Sequence, residues 1–152
     1  MLNEELKASI TNIAETVSFD ETGEWLTVMV TPGGLDALAN GLRYDDSLFF
    51  DYLFCLTCID WKTNLTMVYH FSSTKHRHNI VVKSILDINN PQIESLSHIW
   101  RTAEFHEREV YEMFGVHFLN HPDLRLLILP DGWEGKNPMR KDFDDPVNMI
   151  KL

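Results

Sequence analysis

The sequence predicts an α+β fold, a small antiparallel or mixed sheet with helices packed on one face, followed by an extended irregular C-terminal tail. Three observations lead there. Helical and strand periodicities succeed one another in the order α-β-α-β-β-β and then a last helix. The later strand segments are joined by short turns, which suit neighbouring antiparallel strands better than buried parallel crossovers. From Gly115 onward, periodicity stops while prolines accumulate. The chain therefore divides into an α+β domain over 1–114 and an extended partner-binding tail over 115–152.

Taken in order, Leu6, Ile10, Ile13, Ala14 and Val17 recur at helical spacing, so 3–16 reads as an amphipathic helix. WLTVMV at 25–30 is short and rich in β-formers. Thr31 and Pro32 read as an N-cap and first helical position, and Leu35, Leu38, Ala39 and Leu42 continue at i, i+3, i+4, i+7. Gly33, Gly34 and Gly41 oppose this helix by about 1 kcal/mol each if interior. Residues 49–60 are apolar on both alternating faces, as in a central strand. After a turn at Lys62-Thr63-Asn64, Leu65, Met67, Tyr69 and Phe71 alternate with Thr66, Val68 and His70. A second turn at 72–75 leads to a strand from about Arg77 whose one face is Ile80, Val82 and Leu86, and Pro91 ends the section. A helix follows over 95–114.

Composition narrows function. Hydrophobic residues are 44% and aromatics 11%, enough for a real core. The formal charge of -10 repels phosphate backbones and anionic headgroups, so neither nucleic acid nor direct membrane binding is expected. No segment approaches the roughly 18 apolar residues of a membrane span. MLNEELKASI lacks the apolar run of a signal peptide, which gives the expectation of a cytoplasmic protein tied to a membrane only through partners.

The chemical constellations are weak. Cys55-Leu56-Thr57-Cys58 spells C-x-x-C, but residues three apart on a strand face opposite ways, and no second Cys pair completes a metal site. Two inert thiols are expected, against the alternative of a free-standing metal or redox module. His76 and His78 would share a strand face without further ligands at telling spacing, and His121-Pro122-Asp123 has no accompanying nucleophile. Neither GxGxxG nor GxxxxGK[ST] occurs.

The informative stretch is 99–143. At 100° per residue, Trp100, Ala103, Val110, Tyr111 and Phe114 fall in one arc with Glu107 near its centre. Arg108 falls beside the arc within ion-pair range of Glu104 and Glu112, which a solvated helix face explains, and Phe105 and Glu109 point away. An acid in an apolar stripe needs a partner, and an arginine of the returning tail, Arg125 or Arg140, is expected to supply it. The tail holds Phe118, Leu124, Trp133, Met139 and Phe143, too many large apolar groups for a disordered segment. With no ladder of its own, it is expected to become ordered against partners, the alternative being that it folds back on its own domain.

This stretch closely resembles a known signature. The run Glu107-Arg108-Glu109-Val110-Tyr111-Glu112-Met113-Phe114-Gly115 is followed by Phe118 and by His121-Pro122-Asp123-Leu124-Arg125. Trp133-Glu134-Gly135 and Pro138-Met139-Arg140-Lys141-Asp142-Phe143 come next. Together these are similar to the 30 kDa subunit family of respiratory complex I, the C-type subunits of NADH-quinone oxidoreductase. Leu126 departs from a common second Arg, Phe105 from a common Trp, and Lys136-Asn137 from a single residue before the proline. The resemblance implies an α+β domain in the peripheral arm, on the cytoplasmic side of the inner membrane. It would pack against B- and D-type subunits that carry the terminal iron-sulfur cluster and the quinone pocket. It implies no cofactor, catalytic residue or metal in this chain, with iron-sulfur clusters, FMN and quinone in the assembled complex. The residues it marks for partner binding or structure are Glu107, Arg108, Glu109, Tyr111, Phe114, Gly115, His121, Pro122, Asp123, Arg125, Trp133, Arg140, Lys141 and Asp142. The same family serves membrane-bound hydrogenase and formate hydrogenlyase complexes, which leaves the electron donor open.

Overall fold

The computed structural model describes residues 3–149; positions 1–2 of the predicted domain and 150–152 of the predicted tail lie outside the described residues. The elements run α1 (Asn3–Ile13), β1 (Ser18–Asp20), β2 (Leu26–Met29), a 3-10 turn (Pro32–Gly34), α2 (Leu35–Tyr44), β3 (Tyr52–Asp60), β4 (Asn64–Ser72) and β5 (Asn79–Asp87). β6 (Gln92–Glu94), α3 (Ala103–Phe114) and β7 (His117–Leu119) follow. The five-stranded sheet has the order β1-β2-β5-β4-β3 and is mixed, because β2 and β5 are parallel while the other pairs are antiparallel.

The register shows why the alternating pattern yields a core. Leu53, Phe71, Ile80 and Leu26 make one row across four strands, and Leu56, Tyr69, Val82 and Val28 make the next. All eight are buried, and Leu6, Ile10, Leu35, Leu38, Ala39 and Leu42 of α1 and α2 join the same cluster. Burying each such side chain contributes about 1.5–3 kcal/mol. Neighbouring positions face the other way, where Ile59, Thr66 and Ile85 form a row with both isoleucines exposed. The glycine penalty expected in α2 has a structural cause, since a Cβ on Gly41 would collide with the Ile13 side chain of α1. Glycine lets the two helices approach.

Several features differ from the sequence reading. β3, expected as a central strand, is an edge strand of the sheet, and β1 has no counterpart in the expected order, being only three residues long. The last helix begins at Ala103 rather than near 95, because turns occupy the preceding residues: Leu96 O accepts from the amides of Ile99 and Trp100. Trp100 therefore anchors from a turn, donating its indole N–H to Phe50 O at 3.0 Å. In addition, β6 and β7 pair in parallel on either side of α3, making a small β-α-β unit. Three-residue strands are too short to display a period of two.

Candidate functional site

The site is one face of α3 together with the tail that lies on it. α3 ends at Gly115, whose φ of 76° is the left-handed conformation glycine adopts without strain, and its N–H caps Tyr111 O. Phe114 is buried and Tyr111 half-buried, so the helix is fixed to the core by its apolar arc. Its acids and arginine are then carried to the junction with the tail.

Glu107 sits where the helical phase predicts, fully buried. Its carboxylate accepts from Ser95 Oγ at 2.6 Å and from the Leu96 amide at 2.7 Å. The His121 ring is the nearby basic group, with Nε2 at 3.6 Å from Glu107 Oε2. The expected arginine pairing is thus not the one formed. Arg125 instead binds Asp123 at 2.8 Å, and Arg140 donates to Phe114 O at 2.6 Å and Ile88 O at 3.3 Å. A serine hydroxyl and a backbone amide stand as its hydrogen-bond partners in place of an arginine. Burial nevertheless pushes the Glu107 carboxyl up to about 7, opposed by its Ser95 and Leu96 bonds and reinforced by Glu104 and Glu94. His121 joins the tail to the helix: Nε2 lies 3.0 Å from Glu104 O, and Nδ1 accepts the Asp123 amide at 3.0 Å.

Arg108 and Glu112 correct the expectation of a solvated face. Both are buried, and both bond to the backbone of the tail. Arg108 donates Nε to Arg125 O at 3.1 Å and a terminal nitrogen to Leu126 O at 2.6 Å. Glu112 accepts the amides of Leu127, Ile128 and Leu129 at 2.8, 3.0 and 3.1 Å. Charge-assisted bonds of this kind are about twice as strong as neutral ones. Two carbonyls and three amides of residues 125–129 are thus bonded without a strand partner, and we call these residues the strap.

Further along, the Met139 amide donates to Met113 O, and the Lys141 amide donates to Asp60 Oδ2 at 2.8 Å. That bond, with a second from the Lys62 amide, holds the Asp60 carboxyl below the usual carboxylate range. Asn137 stands over Gly115, and Trp133 packs on Phe143 with Lys136 over its ring. The tail groups expected to look for partners elsewhere therefore find several on their own domain. Glu109, Pro122, Asp123, Arg125, Lys141 and Asp142 remain exposed.

The sequence reading missed Glu112, Ser95 and Asp60. An acid directed at successive amides leaves no spacing signature; the available hint was Asp60, a charge closing the most apolar strand. The C-x-x-C reading holds in geometry. Cys58 pairs with inward Met67 and Cys55 with His70 on the other face, and both are free thiols. Burial, then the charge of Asp60, pushes Cys58 up to about 12. His76 and His78 do not share a strand face, since both precede β5; their rings stack at 5.6 Å, and their Nε2 atoms lie 2.8 Å from Asp46 O and Leu48 O. Among the described residues no three His, Cys, Asp or Glu could hold a metal ion, and no helix is long and apolar enough to cross a membrane.

Fold and site together define a class: an α+β domain whose last helix uses buried charged side chains to bind an irregular C-terminal strap. The chain belongs to the family described as respiratory-chain NADH dehydrogenase, 30 Kd subunit, which it matches over residues 28–147. It is 42% identical over 109 residues to the C-type subunit of the NADH-quinone oxidoreductase of Chloroherpeton thalassium, covering 70% of this chain and 45% of that one. It is 38% identical over 120 residues to the equivalent NADH-quinone oxidoreductase subunit of Roseiflexus sp., covering 77% and 68%. The C-type subunit of the F(420)H(2) dehydrogenase of Methanosarcina mazei is 39% identical over 100 residues, covering 64% and 63%. Thus the chain spans less than half of the Chloroherpeton relative and about two thirds of the other two. Among solved structures, a chain of the membrane-bound sulfane sulfur reductase, an archaeal respiratory membrane complex, superposes with a TM-score of 0.80 at 26% identity, covering 93% of this chain and 85% of that one. A trypsin-resistant fragment of Nqo5 shares the fold, with a TM-score of 0.67 at 22% identity, covering 80% and 98%.

Proposed function

We propose that this chain is a structural peripheral-arm subunit of a proton-translocating NADH-quinone oxidoreductase, non-catalytic by itself, holding no cofactor. It packs against the B- and D-type subunits that carry the terminal iron-sulfur cluster and the quinone site, on the cytoplasmic side of the membrane. FMN, iron-sulfur clusters and quinone belong to other subunits of the assembly. The observation that carries this reading is the fate of the charged side chains on α3. Glu107, Arg108 and Glu112, which a catalytic site would turn toward a substrate, are consumed in holding backbone. Family membership over that same stretch supports it. The strap and exposed signature residues such as Glu109 and Asp142 are then available to partner subunits. Deleting the gene should abolish NADH:quinone activity of isolated membranes, and the intact chain should restore it, while the purified chain alone oxidises no NADH. Undiminished membrane activity in the deletion would overturn the reading.

A second reading keeps the scaffold and changes the electron donor. The F(420)H(2) dehydrogenase relative and the sulfane sulfur reductase neighbour favour it, since both belong to enzymes named for other reactions. An equivalent subunit of a membrane-bound hydrogenase or formate hydrogenlyase falls in the same reading. Loss of activity with one of those donors, and not with NADH, would select it.

A further inference from the structure

The root of the tail is pinned to α3 by an imidazole. After β7, Asn120 takes a left-handed conformation, with a φ of 61° and its side-chain amide on Glu94, and the chain turns back across the helix. His121 follows, its side chain 0% exposed, with Nε2 3.6 Å from an equally buried Glu107. The two ring nitrogens make different bonds. Nδ1 lies 3.0 Å from the Asp123 amide, and Nε2 lies 3.0 Å from Glu104 O. An amide N–H only donates and a carbonyl only accepts. Nδ1 therefore carries no hydrogen and Nε2 carries one, so the ring in this position is neutral.

Protonation would place a hydrogen on Nδ1, facing the Asp123 N–H across the present bond. Two donors would then oppose each other in a site closed to water. The surrounding charges do not relieve this. Glu107 and Glu104 lie beside the ring on α3, and Glu94 of β6 approaches through Asn120. Asp123 is bound by Arg125 at 2.8 Å and also feels Arg108. Tyr69 lies beneath Glu107, and His98 and Arg101 line the groove at Asn120 and Pro122. None of the acids accepts from Nδ1, whose place is taken by the Asp123 amide. Burial pushes the Glu107 carboxyl up to about 7. Over the range near about 6.5 in which an imidazole takes its second proton, that carboxyl is already mostly protonated and offers little counter-charge.

We propose that His121 is an acid-released latch: as the neutral imidazole with its hydrogen on Nε2 it closes the root of the tail over Glu107, and protonation at Nδ1 opens the turn at 121–123. The latch is closed above the imidazole range and opens as the pH falls through it. Arg108 and Glu112 hold residues 125–129 independently of this ring, so the opening is confined to the root and uncovers Glu107.

The test is NMR on the full chain from about pH 8 to about pH 5, a span that brackets imidazole protonation. The ring nitrogen shifts of His121 should report a bare Nδ1 and a protonated Nε2 at the alkaline end. As the ring takes up its proton, exchange protection of the Asp123 amide, taken relative to the intrinsic rate at each pH, should fall about tenfold or more, the equivalent of one lost hydrogen bond. In His121→Asn, whose side-chain oxygen can accept the same amide and does not titrate, protection should stay level across the range. In Glu107→Gln the fall should persist, which separates the latch from the titration of the acid. A hydrogen on Nδ1 at the alkaline end, or protection of Asp123 that is unchanged while the ring titrates, would overturn the proposal. So would a fall that persists in His121→Asn or vanishes in Glu107→Gln. The wild-type measurements decide the question by themselves should either variant fail to fold.

Discussion

The sheet domain and the tail are held by opposite physics. Phe71, Tyr69, Leu53 and Val82 are buried among other apolar groups, and each lies in register with a residue of a neighbouring strand. In the tail, residues 125–129 bury little, and two of their carbonyls and three of their amides are bonded by the side chains of Arg108 and Glu112. Apolar burial is non-directional and tolerates changes of shape, whereas a carboxylate bound to three amides depends on geometry. Core losses should therefore reach the whole molecule, while losses at α3 should release the tail and leave the sheet intact. An irregular segment can be ordered without a ladder when a neighbouring helix supplies buried charges as substitute partners.

The largest effect should come from the core. Phe71→Ala, at a fully buried ring packed on Trp100, should cost about 3–5 kcal/mol in global stability by urea unfolding, with sheet and tail melting together.

Next is the acidity of Glu107. Its carboxyl titrates at about 7 when folded against an ordinary 4.5, so the folded state binds the proton more tightly. The contribution is fully present below about 4.5 and is lost as pH rises to about 7, a change of about 3 kcal/mol. Glu107→Gln should flatten that part of the stability-against-pH curve, measured by urea unfolding at several pH values. The groups facing Glu107 are Ser95, Glu94 and Glu104, with Tyr69 beneath and the His121 ring at 3.6 Å.

Glu112→Gln should cost about 2 kcal/mol and act locally, because an amide side chain sets its own N–H groups against the Leu127–Leu129 donors. Hydrogen exchange at those amides should accelerate while the melting of the sheet stays close to wild type. The smallest effect is at the hinge between the regions. Gly115→Ala should cost about 1 kcal/mol in thermal melting, from its φ of 76° and from crowding of Asn137, 2.6 Å from the added Cβ.

The same contrast explains what could be read in advance. Alternation at Leu65, Met67, Tyr69 and Phe71 is a strong periodic signal, and it located β4 within a residue at either end. The helical phase placed Glu107 in the core because burial repeats with period 3.6. Its partner was not legible: Ser95 lies 12 residues away across a turn, and nothing in residue spacing reports which polar group meets which backbone. Arg108 and Glu112 misled for a related reason. Their i,i+4 spacing fits a surface ion pair, and only the path of the tail shows that each has bonded to backbone instead. β6 and β7, at three residues each, carried no period to recognise.

The central claim, that buried charges of α3 order the tail within the single chain, is tested most directly by hydrogen exchange on the purified, unassembled protein. Protection should appear at the amides of Leu127, Ile128, Leu129 and Lys141, the donors to Glu112 and Asp60, and should disappear at the first three in Glu112→Gln. Exchange of those amides in the wild type at the rate of an unstructured peptide would contradict it, and would return the ordering of the tail to its partners.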